Sequence, residues 1–128
     1  MSSNPVTLLL HPNTRCDISA TACAHRYQRV TVEVDGNTTT FAGGSSLNRL
    51  PMRLPDGRTE HYTLDAKPYE RTYTLKFESE NPDGSWRPSV VQDPVYIRRG
   101  SSMTYTLHAE DGEDGDYRDI SLVLVLTP

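Results

Sequence analysis

At 128 residues, with 35% hydrophobic content and a formal net charge of −4, the chain has the size of a single domain built on one core. The acidic balance and the lack of a basic patch exclude a nucleic-acid footprint, and no apolar run is long enough for membrane insertion.

The first apolar run, Val6-Thr7-Leu8-Leu9-Leu10, is too short for a signal-peptide core and follows no basic segment. Classical secretion is not expected. The expectation is the cytoplasm, or export to the cell surface by a non-classical route. Cys16 and Cys23 stand seven apart, so on a continuous strand they point to opposite faces and two free thiols are expected. Neither Cys-x-x-Cys nor a His pair at i, i+4 occurs, which argues against zinc.

Period-two alternation dominates the chain from residue 29 onward. Val30, Val32 and Val34 share one face of segment 29–35, and Arg29, Thr31, Glu33 and Asp35 share the other. Asp35-Gly36-Asn37 predicts a tight hairpin turn into Thr38-Thr39-Thr40-Phe41. Gly43-Gly44-Ser45-Ser46, Pro55-Asp56-Gly57, Asn81-Pro82-Asp83-Gly84 and Arg99-Gly100 read as further turns. Segment 72–78 puts Tyr73, Leu75 and Phe77 inward, and segment 102–108 has the same alternation. Trp86 falls in the turn-rich stretch 81–88 and reads as a cap on the edge of the fold, with stacking on a sugar face as the alternative.

No segment has helical periodicity. About nine short strands, with turns every ten or so residues, predict an all-β fold, an antiparallel β-sandwich forming a single domain over 1–128. The last strand, 120–126, is almost continuously apolar. That pattern fits a central strand, burial on both faces, or burial against a partner, and the last makes a homodimer through the C-terminal strand an expectation.

Just before that strand, residues 110–119 carry six carboxylates in ten positions. Like charges so crowded repel one another unless a cation neutralises them, and calcium accepts several carboxylates in flexible geometry. The glycine, glutamate and flanking helices of an EF-hand are missing. The acids crowd one loop rather than facing each other across a cleft, and no Gly-x-Ser-x-Gly or phosphate loop occurs, so an enzyme is not expected.

The stretch Glu110-Asp111-Gly112-x-Asp114-x-Asp116-Tyr117-x-Asp119, leading into an apolar strand, resembles the signature of the calcium-dependent fucose- and mannose-binding bacterial lectins, the two-calcium soluble lectins. Pro12-Asn13-Thr14-Arg15 resembles the start of that family's first long strand, 30–43 its next hairpin, and Arg87-Pro88-Ser89 a turn in mid-fold. The likeness spans nearly the whole chain, with extra residues around 50–70 and 80–86.

The resemblance implies a non-catalytic carbohydrate-binding lectin, a dimeric sandwich in which sugar hydroxyls ligate paired calcium ions. It assigns Glu110, Asp114, Asp116 and Asp119 to calcium. It assigns Asp111, Ser46 and the specificity loop Ala24-His25-Arg26 to the sugar. The family's second-site asparagines align with Cys23 and Arg118, and its terminal glycine is replaced by Leu126-Thr127-Pro128. A thiol is a poor calcium ligand, and Arg118 carries a permanent charge able to fork onto carboxylates. One calcium is therefore expected, with Arg118 in place of the second. Two ions remain the alternative, and a lectin-like structural protein without sugar binding is the rival function.

Overall fold

The computed structural model describes residues 3–110 and 119–128. Among them are ten strands and no helix: β1 (Val6–Leu10), β2 (Arg15–Val34), β3 (Asn37–Pro51), β4 (His61–Leu64), β5 (Arg71–Glu80), β6 (Trp86–Pro88), β7 (Val90–Val91), β8 (Val95–Arg99), β9 (Ser102–Glu110) and β10 (Ile120–Thr127). All pairings are antiparallel, in the order β1-β5-β2-β10-β9-β7, with β3 and β4 also on β2, β6 on β5, and β8 on β9.

β2 organises the fold. Its 20 residues would run roughly 66 Å at about 3.3 Å each, about twice the width of a small domain, so the strand must bend. Residues 15–22 pair with β10, whereas residues 28–34 pair with β5. Between them the register with β3 breaks twice, at Ala22/Ala24 and at Ala24/Tyr27. Cys16, Ile18, Ala20, Ala22, Ala24, Gln28, Val30, Val32 and Val34 are all buried, so one face of β2 looks inward along its whole course. Ile18 and Ala20 share a single core with Val30, Val32, Leu75, Phe77, Leu122 and Leu124. The sheet thus folds over on itself around one core, the sandwich arrangement.

The predicted hairpin forms at Asp35 and Gly36, both at positive φ (51° and 77°), the signature of a type I′ turn. Cys16 is in the core, Cys23 is on the opposite parity, and the two are not joined in a disulfide. β10 is central, between β2 and β9, one of the three arrangements its composition allowed. Within one chain, however, it is buried on one face only. Ile120, Leu122, Leu124 and Leu126 are inside, and Val123 and Val125 are half-exposed.

Three expectations are corrected. Gly43-Gly44-Ser45-Ser46 is no turn but lies inside β3. Gly44 sits at φ +114°, and a Cβ there would stand 2.6 Å from the Arg26 carbonyl oxygen. The glycine marks a close approach of two strands rather than a chain reversal. Trp86 opens β6 instead of riding an exposed turn, and is half-buried against the Arg29 guanidinium, 4.0 Å above its ring. It does cap the sheet edge. Glu78, assigned to the polar face of β5, is buried, because Arg29 Nε covers it at 2.9 Å.

Candidate functional site

The predicted site residues come from three stretches far apart in sequence, and the strand register brings their described members to one end of the sandwich. β9 and β10 pair through Ala109 and Ile120, which places Glu110 and Asp119 side by side at the base of their hairpin. Both residues are buried, at 5% and 3% exposure. Ile120 also pairs with Ala22, and the next residue of β2, Cys23, donates its amide proton to the Asp119 carbonyl at 2.9 Å. One residue further, Ala24 pairs with Ser46 of β3.

The Ala24–Ser46 pair stands between the two register breaks. From Ala22–Leu50 to Ala24–Ser46, β2 advances two residues and β3 four. From Ala24–Ser46 to Tyr27–Gly44, β2 advances three and β3 two. Extra residues bulge out of β3 on one side of this pair and out of β2 on the other, a device that re-aims side chains at functional rims. Residues 24–26, expected as a loop, are therefore part of a distorted strand: Ala24 buried, His25 exposed, Arg26 half-buried. The Arg26 carbonyl accepts from Gln28 Nε2 at 3.1 Å, which stitches the bulge closed.

Asp111, Asp114, Asp116 and Arg118 lie outside the described residues. Among the described residues no group of three or more His, Cys, Asp or Glu side chains could hold a metal. The pair that is described nevertheless fits calcium. Glu110 and Asp119 offer oxygen only, the hard donor calcium prefers. The thiol of Cys23 adds nothing to such a donor set.

This architecture has known counterparts. Residues 7–127 match the family described as fucose-binding lectin II (PA-IIL). The chain belongs to that family. It is a carbohydrate-binding lectin of the PA-IIL type, a family in which calcium dependence is typical. No curated protein matches it. Three solved structures show the shared fold. A Ralstonia solanacearum high-affinity mannose-binding lectin aligns at 23% identity and TM-score 0.63 over 93% of each chain. The Chromobacterium violaceum lectin CV2L, solved with α-methyl-fucoside, aligns at 16% and 0.65 over 96% of each. The C-terminal domain of the Burkholderia cenocepacia lectin BC2L-C aligns at 20% and 0.66 over 98% of this chain and 97% of that one.

One feature beside these residues was not foreseen from the sequence. A cleft of about 580 Å³ opens next to the β2 bulge, bordered by Tyr27, Ala42, Gly44, Arg53, Leu54 and Pro55. The Gly-Gly pair inside a strand pattern was its available signal.

Proposed function

We propose that this chain binds fucose- or mannose-type sugars non-catalytically, with calcium held by Glu110 and Asp119 together with Asp114 and Asp116. The observation that carries the reading is the meeting of two buried carboxylates with the bulged Cys23–Arg26 segment and Ser46. When bound, calcium supplies a hard positive centre that accepts sugar hydroxyls as ligands. The protein's part is orientation. The Cys23–Asp119 hydrogen bond ties the sugar-facing strand to the acidic hairpin, and the bulges present His25 and Arg26 at the rim. Asp111 and Arg118 complete the sugar contacts.

Only one calcium is held per chain, with the Arg118 guanidinium taking the place of the second. Calorimetry with calcium, then with α-methyl-fucoside and methyl mannoside in calcium and in chelator, tests both statements. One ion per chain and chelator-sensitive sugar binding are expected. Two ions would sink the Arg118 replacement. Absent sugar binding with a chelator-sensitive melting point would favour the purely structural role.

The active form is a homodimer through the outer face of β8–β9–β10. Register places Val95, Thr106 and Val123 in one row and Ile97, Thr104 and Val125 in the next. Val95 and Ile97 are 57% and 52% exposed. Such a flat, β-branched surface matches the apolar character of a homodimer core.

A further inference from the structure

The cleft beside Tyr27 is lined at one side by Tyr27 and Gly44, the register pair next to Ala24 and Ser46. We propose that it is an accessory subsite for a second, neutral pyranose ring, the unit linked to the terminal sugar of a glycan. This rests on the lectin function proposed for the chain and deepens it.

The floor is the outer face of β3. Thr40, Ala42 and Gly44 pair with Thr31, Arg29 and Tyr27, so the three share that face and leave it low. Gly44 has a φ of +114° and lies close to the Arg26 carbonyl, so it adds no side chain to the floor. The far wall is the segment after β3. It doubles back through reciprocal hydrogen bonds between Ala42 and Arg53 (2.8 and 2.9 Å) and brings up Leu54 and Pro55. It is held by the Asp56 turn, whose carboxylate accepts from the amides of Arg58 and Thr59 at 2.8 Å each.

The lining suits a sugar ring. A pyranose presents an apolar C–H face and a hydroxyl edge. Tyr27, 42% exposed, offers an aromatic surface at the mouth, and its ring is braced edge-on by Trp86 at 6.5 Å, itself fixed under Arg29. Arg53 supplies donors for hydroxyls. It contacts the Gly57 carbonyl (3.2 Å) and Glu60 (3.7 Å), and five N–H groups leave capacity beyond these. Glu60 balances the arginine charge, which favours a neutral ring over an acidic one. The volume of about 580 Å³ falls within the range of about 300–1,000 Å³ usual for small-molecule sites.

Placement decides the occupant. Tyr27–Gly44 is the register pair next to Ala24–Ser46, two residues along β3 and so about 7 Å away. His25 and Tyr27 are both exposed on the same stretch of β2. A glycan whose terminal ring sits at Ala24–Ser46 reaches the cleft with its next ring.

Trp86 is the only tryptophan, so its emission reports on the subsite through the Tyr27 ring it braces. The test compares α-methyl-fucoside and methyl mannoside with α-linked fucosylgalactose and mannobiose, by calorimetry and Trp86 fluorescence, in wild type, Tyr27→Ala and Tyr27→Phe. At least one disaccharide should bind tenfold or more tighter than its monosaccharide and shift Trp86 emission. Tyr27→Ala should abolish that advantage and keep monosaccharide affinity, and Tyr27→Phe should retain both. Disaccharides binding no tighter than monosaccharides, with unchanged emission, would overturn the subsite alone. A Tyr27→Ala variant that keeps the advantage overturns it too. If neither class binds, the lectin function fails and the subsite with it.

Discussion

The Cys23 amide donates to the Asp119 carbonyl at 2.9 Å, so the middle of β2 is fastened to the start of β10, beside a carboxylate proposed to hold calcium. The bond uses main-chain atoms on both sides, which separates the fold from the ion. Asp119→Asn keeps the backbone bond and the side-chain shape but removes one buried negative charge. It should lower calcium affinity at least tenfold, seen by calorimetry. The rise in melting temperature expected from calcium in the wild type should shrink accordingly.

Gly44 cannot be replaced cheaply. A methyl group there would stand 2.6 Å from the Arg26 oxygen at a backbone angle that L-residues avoid. Gly44→Ala should destabilise by about 1–3 kcal/mol, the usual size of local backbone strain. Denaturant unfolding measures this, and an unchanged midpoint would mean that the two strands part freely at the bulge.

Burial pushes the Cys16 thiol up from 9.0 to about 12; neighbouring Asp17 adds to the rise and Arg71 opposes it. The folded state holds this proton and the unfolded state releases it earlier. The stabilisation is therefore complete below pH 9.0 and is lost as pH rises towards about 12. Over that window stability should fall by about 1.4 kcal/mol per pH unit. Cys16→Ala should flatten the slope while lowering stability at neutral pH through the cavity it leaves. Urea midpoints across the alkaline range provide the check.

The half-exposed Val123 and Val125 line the outer face of β10. Val125→Lys places a charge at the centre of the proposed dimer face. It should yield monomers in analytical ultracentrifugation with little loss of monomer stability, since Leu124 and Leu126 beside it keep the core contacts. A dimer that persists would move the interface elsewhere.

Much of this protein was written in its alternation. Val30, Val32 and Val34, then Tyr73, Leu75 and Phe77, occupy the core as period two requires, and Asp35-Gly36 makes the turn its residue types demand. These are local effects, a pleat and a φ preference, and they need no knowledge of distant partners. Glu110 and Asp119 were singled out through the family resemblance, and the β9–β10 register then sets them side by side.

The meeting of Asp119 with Cys23, and of Ala24 with Ser46, depends on register between strands far apart in sequence, and a one-residue slip would undo it. The burial of Glu78 depends on Arg29 crossing from the next strand, and the cleft depends on residues 53–57 folding back over β3. Sequence alone determined which residues could form strands and which could carry charge to a metal. Tertiary structure decided which of them met, because long-range pairing depends on the whole sheet closing over its core.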